Sequence, residues 1–143
     1  MELDQKDKKI LQILKENANL TTSQIAKKTA IPITTVHNRI KKLNKEKVIK
    51  NYTLNLDFEK IGKPLKAFIL VTINQSKISQ SEIGKQIREI DGVESVDIVT
   101  GSTDIIVQIR IKDMHSLNEL ITEKIRKLSG IDKTQTLMVL EEI

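Results

Sequence analysis

Between residues 34 and 45 the chain reads TTVHNRIKKLNK, where hydrogen-bonding and cationic side chains interrupt an apolar series at helical spacing. Thr34, Thr35, His37 and Asn38 carry donors and acceptors that suit base edges, and the Asn38 amide can pair bidentately with adenine. Lys41, Lys42 and Lys45 carry charges that suit phosphates. Arg39, at the margin of the apolar series, suits either a phosphate or an acidic neighbour. The chemistry these types support is the reading of double-stranded DNA: residues early in a helix reach bases and later ones run along the backbone.

Such residues read a groove only if a helix holds them on one face. Val36, Ile40 and Leu43 recur at i, i+4 and i+7, which predicts a helix over about 33–45 with Thr34, Asn38, Lys41 and Lys45 outward. Pro32 breaks any helix before it and suits the start of this one. Upstream, Thr21 and Gln24 match a capping box that opens a short helix ending near Thr29. Asp4 caps a first helix with Ile10, Leu11, Leu14 and Ala18 on one stripe. The first fifty residues therefore read as a helix-turn-helix, winged-helix-like domain. The plainer alternative, a three-helix bundle that only packs, leaves the charge unexplained. Residues 1–50 hold twelve Lys+Arg against five Asp+Glu, whereas residues 51–143 hold twelve against fourteen. Clustered cations gain free energy by releasing the counterions condensed on a nucleic acid.

Other function classes fit poorly. There is no cysteine, so disulfides and thiolate metal sites are excluded. The opening MELDQKDKK has no apolar signal core, and the longest apolar run, Ala67 to Val71, is far short of the ~20 residues a bilayer demands. A soluble, cytoplasmic protein with no membrane partner is expected. His37 and His115 are the only histidines and fall in different domains, so no catalytic relay and no enzyme are expected. Asp91, Glu94, Asp97 and Asp104 read as solvated carboxylates on strand edges and turns, with no metal or other cofactor.

Beyond residue 47 the periodicity changes. VIKNYTLNLD, residues 48–57, alternates β-branched and aromatic residues with polar ones, which predicts a strand leaving the helical domain. Gly62 and Pro64 close this linker, taken as residues 51–64. LKAFILVTIN then predicts a strand with Leu65, Ala67, Ile69, Val71 and Ile73 on one face, followed by a helix carrying Ile83, Ile87 and Ile90 that stops at Asp91-Gly92. Strands VESVDIVT and IIVQIRI flank Gly101-Ser102-Thr103-Asp104. A helix from Ser116 to Leu128, a stop at Gly130 and a strand TQTLMVLEE complete residues 65–143. The chain is thus α+β, and its second domain is a βαββαβ, ferredoxin-like antiparallel sheet with both helices on one face. RNA-binding domains share this strand order, but stacking of bases needs exposed aromatics, and beyond residue 58 only Phe68 remains. RNA is not the expected partner.

The run LDQKDKKILQILKENANLTTSQIAKKTAIPITTVHNRIKKLNKEKVIKNYTLNLD, with VTGSTDIIVQI and GIDKTQTLMVL later, resembles the Lrp/AsnC family of feast/famine transcription regulators over the whole chain. Its specific points include Leu3-Asp4 with Asp7, Thr35-Val36 with Arg39-Ile40 and Leu43, and Val99-Thr100-Gly101 with Asp104. The resemblance implies a DNA-binding regulator whose βαββαβ (RAM) domain dimerises back to back. It also implies assembly to larger even-numbered oligomers, often octamers, with free amino acids often bound between dimers. Carried over by position, Thr100, Gly101, Ser102, Asp104 and Thr136 belong to the effector and assembly region. A turn bearing Gly101 would bring backbone N–H groups to a carboxylate, and Asp104 would receive an α-ammonium. A local hairpin turn whose Asp and Ser satisfy only backbone is the competing reading. The chain departs from the family at Ala30, where a turn glycine is frequent, at Pro32, where Ser usually caps, and at Lys47, where Gly usually precedes Val-Ile. A metabolite-sensing module that regulates a partner protein, with the basic helices as docking surface, is the alternative from another class.

Overall fold

The computed structural model describes residues 2–74 and 78–143. They form two compact units that divide between Asn55 and Leu56.

The first unit is three helices: α1 (Gln5–Glu16), α2 (Thr22–Thr29) and α3 (Ile33–Lys45). Two of their starts are reciprocal capping boxes. The Asp7 N–H donates to Asp4 Oδ1 at 2.9 Å and the Asp4 N–H to Asp7 Oδ2 at 3.2 Å. Thr21 and Gln24 do the same at the head of α2. Each box satisfies backbone donors that a helix start leaves without partners. Pro32 precedes α3 with no side-chain cap. Ile10, Ile25, Ile31, Val36 and Leu43 are buried in one cluster, and each such side chain contributes roughly 1.5–3 kcal/mol on leaving water. Ala18 departs from the stripe expected of it. Helix α1 ends at Glu16, and Ala18 lies beyond it, exposed.

The turns on either side of α3 carry the two departures from glycine. Ala30 and Lys47 both have φ of 54°, the only positive values outside glycine among the described residues. A side chain there costs ~1–2 kcal/mol because Cβ crowds the following carbonyl. The N–H groups of Val48 and Ile49 then both donate to the Leu43 carbonyl, closing α3.

The strand expected over residues 48–57 does not form within the chain. Residues 51–57 have neither helix nor strand, and Tyr52, Leu54 and Leu56 are exposed. Alternation gives a segment two faces, but a strand also needs a neighbour for its backbone groups, and none of the described residues pairs with it as a strand here.

The second unit runs β1 (Leu65–Ile73), α4 (Gln80–Arg88), β2 (Val93–Ile98), β3 (Ile105–Ile111), α5 (Met114–Glu119) and β4 (Ile131–Met138). The order in the antiparallel sheet is β2-β3-β1-β4. This is the βαββαβ arrangement read from the sequence. Ala67, Ile69 and Val71 of β1 are fully buried with Ile83 and Ile87 of α4 and Leu117, Leu120 and Ile125 of the second helical segment. Both helices therefore cover one face. The pleat sends Lys66, Phe68 and Leu70 to the other face, where they are half-buried.

Three boundaries shift, each for a local reason. The second helix of this unit starts at Met114 rather than Ser116, because Asp113 is the cap and accepts from both the N–H and the hydroxyl of Ser116 at 2.8 Å. From Leu120 to Ile125 it continues as a π-helix instead of an α-helix reaching Leu128. Strand β4 occupies 131–138 rather than 134–142. The chain end turns aside, and Glu142 Oε1 accepts from Arg110 Nη2 at 2.6 Å and Lys66 Nζ at 2.9 Å. Arg110 is 7% exposed, and its guanidinium lies 4.1 Å from the Phe58 ring centroid.

These two cations, Arg110 foremost, hold the Glu142 carboxyl at about 2 against its ordinary 4.5. A carboxylate whose pKa is lowered by folding stabilises the fold above its unfolded value and loses that contribution as pH falls through the folded one. The gap in denaturant midpoint between the native chain and Glu142→Gln should therefore be full at pH 6, shrink below about 4.5 and close toward 2. A gap that does not change with pH would show that the charge contributes nothing.

Candidate nucleic-acid interface

Helix α3 divides its circumference between packing and solvent. At about 100° per residue, Val36 and Leu43 point one way and are fully buried, with Ile40 half-buried beside them. Thr34, Asn38, Lys41 and Lys45 fall on the opposite arc, and all four are exposed. His37 and Lys42 flank that arc and are also exposed, while Thr35 is half-buried. Seven of the eight residues singled out from the sequence thus share one continuous face, with hydrogen-bonding side chains toward the start of the helix and lysines toward its end.

Arg39 departs from that group. Its Nη1 donates to Asp4 Oδ1 and Oδ2, both at 2.7 Å, and to Asp7 Oδ1 at 2.8 Å. Of the two partners left open by the sequence, the acidic one is present. The Asp7 N–H and then the Arg39 guanidinium hold the Asp4 carboxyl below its ordinary range. Tyr52, expected on a strand, instead accepts from the Asn44 amide at 3.2 Å, so its hydroxyl lies at the end of α3.

The second group is dispersed. Thr100, Gly101 and Ser102 are exposed on the turn between β2 and β3, and Gly101 has φ of 127°, with nothing within 4 Å of the position a Cβ would take. Asp104 is half-buried and engaged. Its Oδ2 accepts the Ile73 N–H at 2.8 Å, its Oδ1 accepts from Gln80 Nε2 at 3.2 Å, and its own N–H donates to the Val71 carbonyl at 3.0 Å. The carboxylate therefore ties the start of β3 to the end of β1 and to the first turn of α4. No local signal in the sequence marks Gln80, which lies 24 residues from its partner. Thr136 does not join the turn. It faces Ile69 across the β1–β4 ladder, and β1 lies between β3 and β4, two strand spacings or ~10 Å. Among the described residues no three His, Cys, Asp or Glu side chains are grouped to hold a metal ion, and no helix is long and apolar enough to cross a membrane.

Comparison with known proteins bears on both units. Residues 3–50 match the family of winged helix-turn-helix DNA-binding domains, and residues 66–143 match the Lrp/AsnC ligand binding domain. An uncharacterized HTH-type transcriptional regulator of Pyrococcus furiosus is 36% identical over 137 residues, covering 95% of this chain and 91% of the relative. An HTH-type transcriptional regulator of Pyrococcus horikoshii is 34% identical over 139 residues, covering 97% and 90%. Among solved structures, a transcriptional regulator of Neisseria meningitidis in complex with L-Met superposes with a TM-score of 0.93 at 30% identity, covering 99% of this chain and 92% of that one. The AsnC structure of E. coli has the same fold, with a TM-score of 0.85 at 22% identity over 99% and 95% of the two chains. With a DNA-binding helix-turn-helix at one end and the ligand-binding sheet domain at the other, the chain belongs to the Lrp/AsnC family of transcriptional regulators.

Proposed function

We propose that this regulator binds imperfect palindromic promoter DNA as a homodimer or a larger even-numbered assembly. The α3 helices of two copies enter successive major grooves about one helical turn apart, or a multiple of that. The observation that carries the reading is the exposed arc of α3, where Thr34 and Asn38 precede Lys41 and Lys45 opposite the buried Val36 and Leu43. In this reading Thr34, Thr35, His37 and Asn38 meet base edges and Lys41, Lys42 and Lys45 meet phosphates. The half-buried apolar side chains on the open sheet face, and the exposed, alternating Tyr52, Leu54 and Leu56, are surfaces that a second copy would cover.

A free amino acid bound around Thr100, Gly101, Ser102 and Asp104 modulates binding by changing assembly. The relative from Neisseria solved with L-Met supports that ligand class. Coupling of this kind is reciprocal, so DNA must alter amino-acid affinity by the same factor.

Selection of fragments from the source genome by the purified protein at ~0.2 M salt, where non-specific contacts weaken, tests the central statement. A short palindrome should be enriched, and a pool without one would count against sequence-specific binding. On the enriched site, Asn38→Ala should lower discrimination at one base pair by ~1–3 kcal/mol, whereas Lys41→Ala should weaken all sequences alike and flatten the salt slope. Identical, uniform losses from both would reverse these roles. With methionine and the other common amino acids added in turn, Asp104→Ala should abolish any shift in assembly while a dimer still binds DNA. An unchanged response would remove Asp104 from the site.

A further inference from the structure

Arg39 is the one basic residue of α3 with carboxylate partners among the described residues. We propose that it is a positioning residue for DNA recognition: anchored to Asp4 and Asp7, it fixes the roll of α3 about its own axis and makes no phosphate contact. The proposal rests on reading the outer arc of α3 as the DNA-facing surface.

Three observations lead there. The first is angular. Arg39 lies about 60° round the helix from Val36 and about 40° from Leu43, with Lys42 and Thr35 at the same angles on its other side, and about 120° or more from Thr34, Lys41 and Lys45. It sits on the boundary between the packed and open faces, within reach of the first helix. The second is occupancy. Nη1 is within 2.8 Å of three carboxylate oxygens, and the side chains of Arg39 and Asp7 are 25% and 10% exposed. Reaching outward would abandon Asp7, a buried carboxylate with no other cation beside it among the described residues, which a single phosphate contact does not offset. The third is charge. Two carboxylates face one guanidinium, so the cluster is net negative and repels a phosphate.

The same two carboxylates form the capping box of α1. One cluster therefore starts the first helix and sets the roll of the third. Rolling α3 by ~10° would swing a side-chain tip some 6 Å from its axis by about 1 Å. That is enough to spoil the two parallel hydrogen bonds of an Asn38–adenine pair while lysines on flexible stems still find phosphates. Arg39 thus governs discrimination and leaves the electrostatic part of the affinity alone.

The test uses the full-length protein with the selected operator duplex and a scrambled duplex of equal length, each titrated over a salt series. Asp4→Ser retains a capping oxygen but removes two of the three carboxylate oxygens around Arg39 Nη1, leaving only Asp7. Arg39→Met removes the guanidinium, and Arg39→Lys returns the charge. Asp4→Ser and Arg39→Met should each lower the operator-to-scrambled ratio roughly 10-fold, about the loss of one bidentate base contact. Their salt slopes should stay unchanged, and Arg39→Lys should recover part of the ratio. Circular dichroism confirms that each variant is folded, and Asp4→Ser alone suffices should Arg39→Met unfold. A salt slope reduced by ~0.9 in Arg39→Met with its ratio intact would identify a phosphate contact and overturn the proposal. Tighter binding of both duplexes by Asp4→Ser would overturn it too. An unchanged ratio in both variants, with Asn38→Ala lowering it, refutes the positioning role and keeps the DNA-facing arc; if Asn38→Ala also leaves the ratio unchanged, both fail.

Discussion

Helix α3 must bury one face and leave the other in water, and the first unit is arranged around that double demand. Val36 and Leu43 are withdrawn completely from water while Thr34, Asn38, Lys41 and Lys45 remain in it. A helix with only an apolar stripe to hold it can roll, because hydrophobic burial is non-directional. The bond from Arg39 to Asp4 and Asp7 adds the direction that packing lacks, and it does so through the residues that also start α1. The caps at Asp4 and Thr21, the left-handed residues Ala30 and Lys47 on either side of α3, and the cluster around Ile10 and Ile25 hold the other helices against that single orientation.

Most of this division was legible in the residues. Spacing at three and four marked the helices, the cap Asp4 and the capping box of Thr21 and Gln24 marked two starts, and period two marked β1 with the correct residues inward. These signals are local, arising from groups within one or two turns of each other. The order βαββαβ follows from them by topology, because consecutive antiparallel strands joined through helices on one face have few ways to close.

What stayed hidden lies in contacts between distant residues. Arg39 meets partners 32 and 35 positions away, and its place at the edge of the stripe was compatible with either a phosphate or an acid. Asp104 is noticeable from its turn, but nothing near it announces Gln80 or the Ile73 N–H. Arg110 alternates on β3 with the core residues Ile109 and Ile111 and is nonetheless nearly buried, against Phe58 and beside Glu142, both distant in sequence. The strand expected over 48–57 is the converse case, where a local pattern exists and no described residue pairs with it as a strand.

The π-helical stretch from Leu120 to Ile125 changes how the second helical segment keeps its phase. The Arg126 N–H bonds to Ile121 five residues back, so one turn takes up a residue more than an α-turn would. Continued at α spacing from Leu117, Leu120 and Ile121, the inward position would fall on Lys124. The wider turn passes it over, leaving Lys124 exposed and Ile125 fully buried. The segment thus behaves as a phase corrector between two apolar registers. It lets a cation stand in the middle of a helix that packs on both sides of it, at a length one residue greater than the core itself requires.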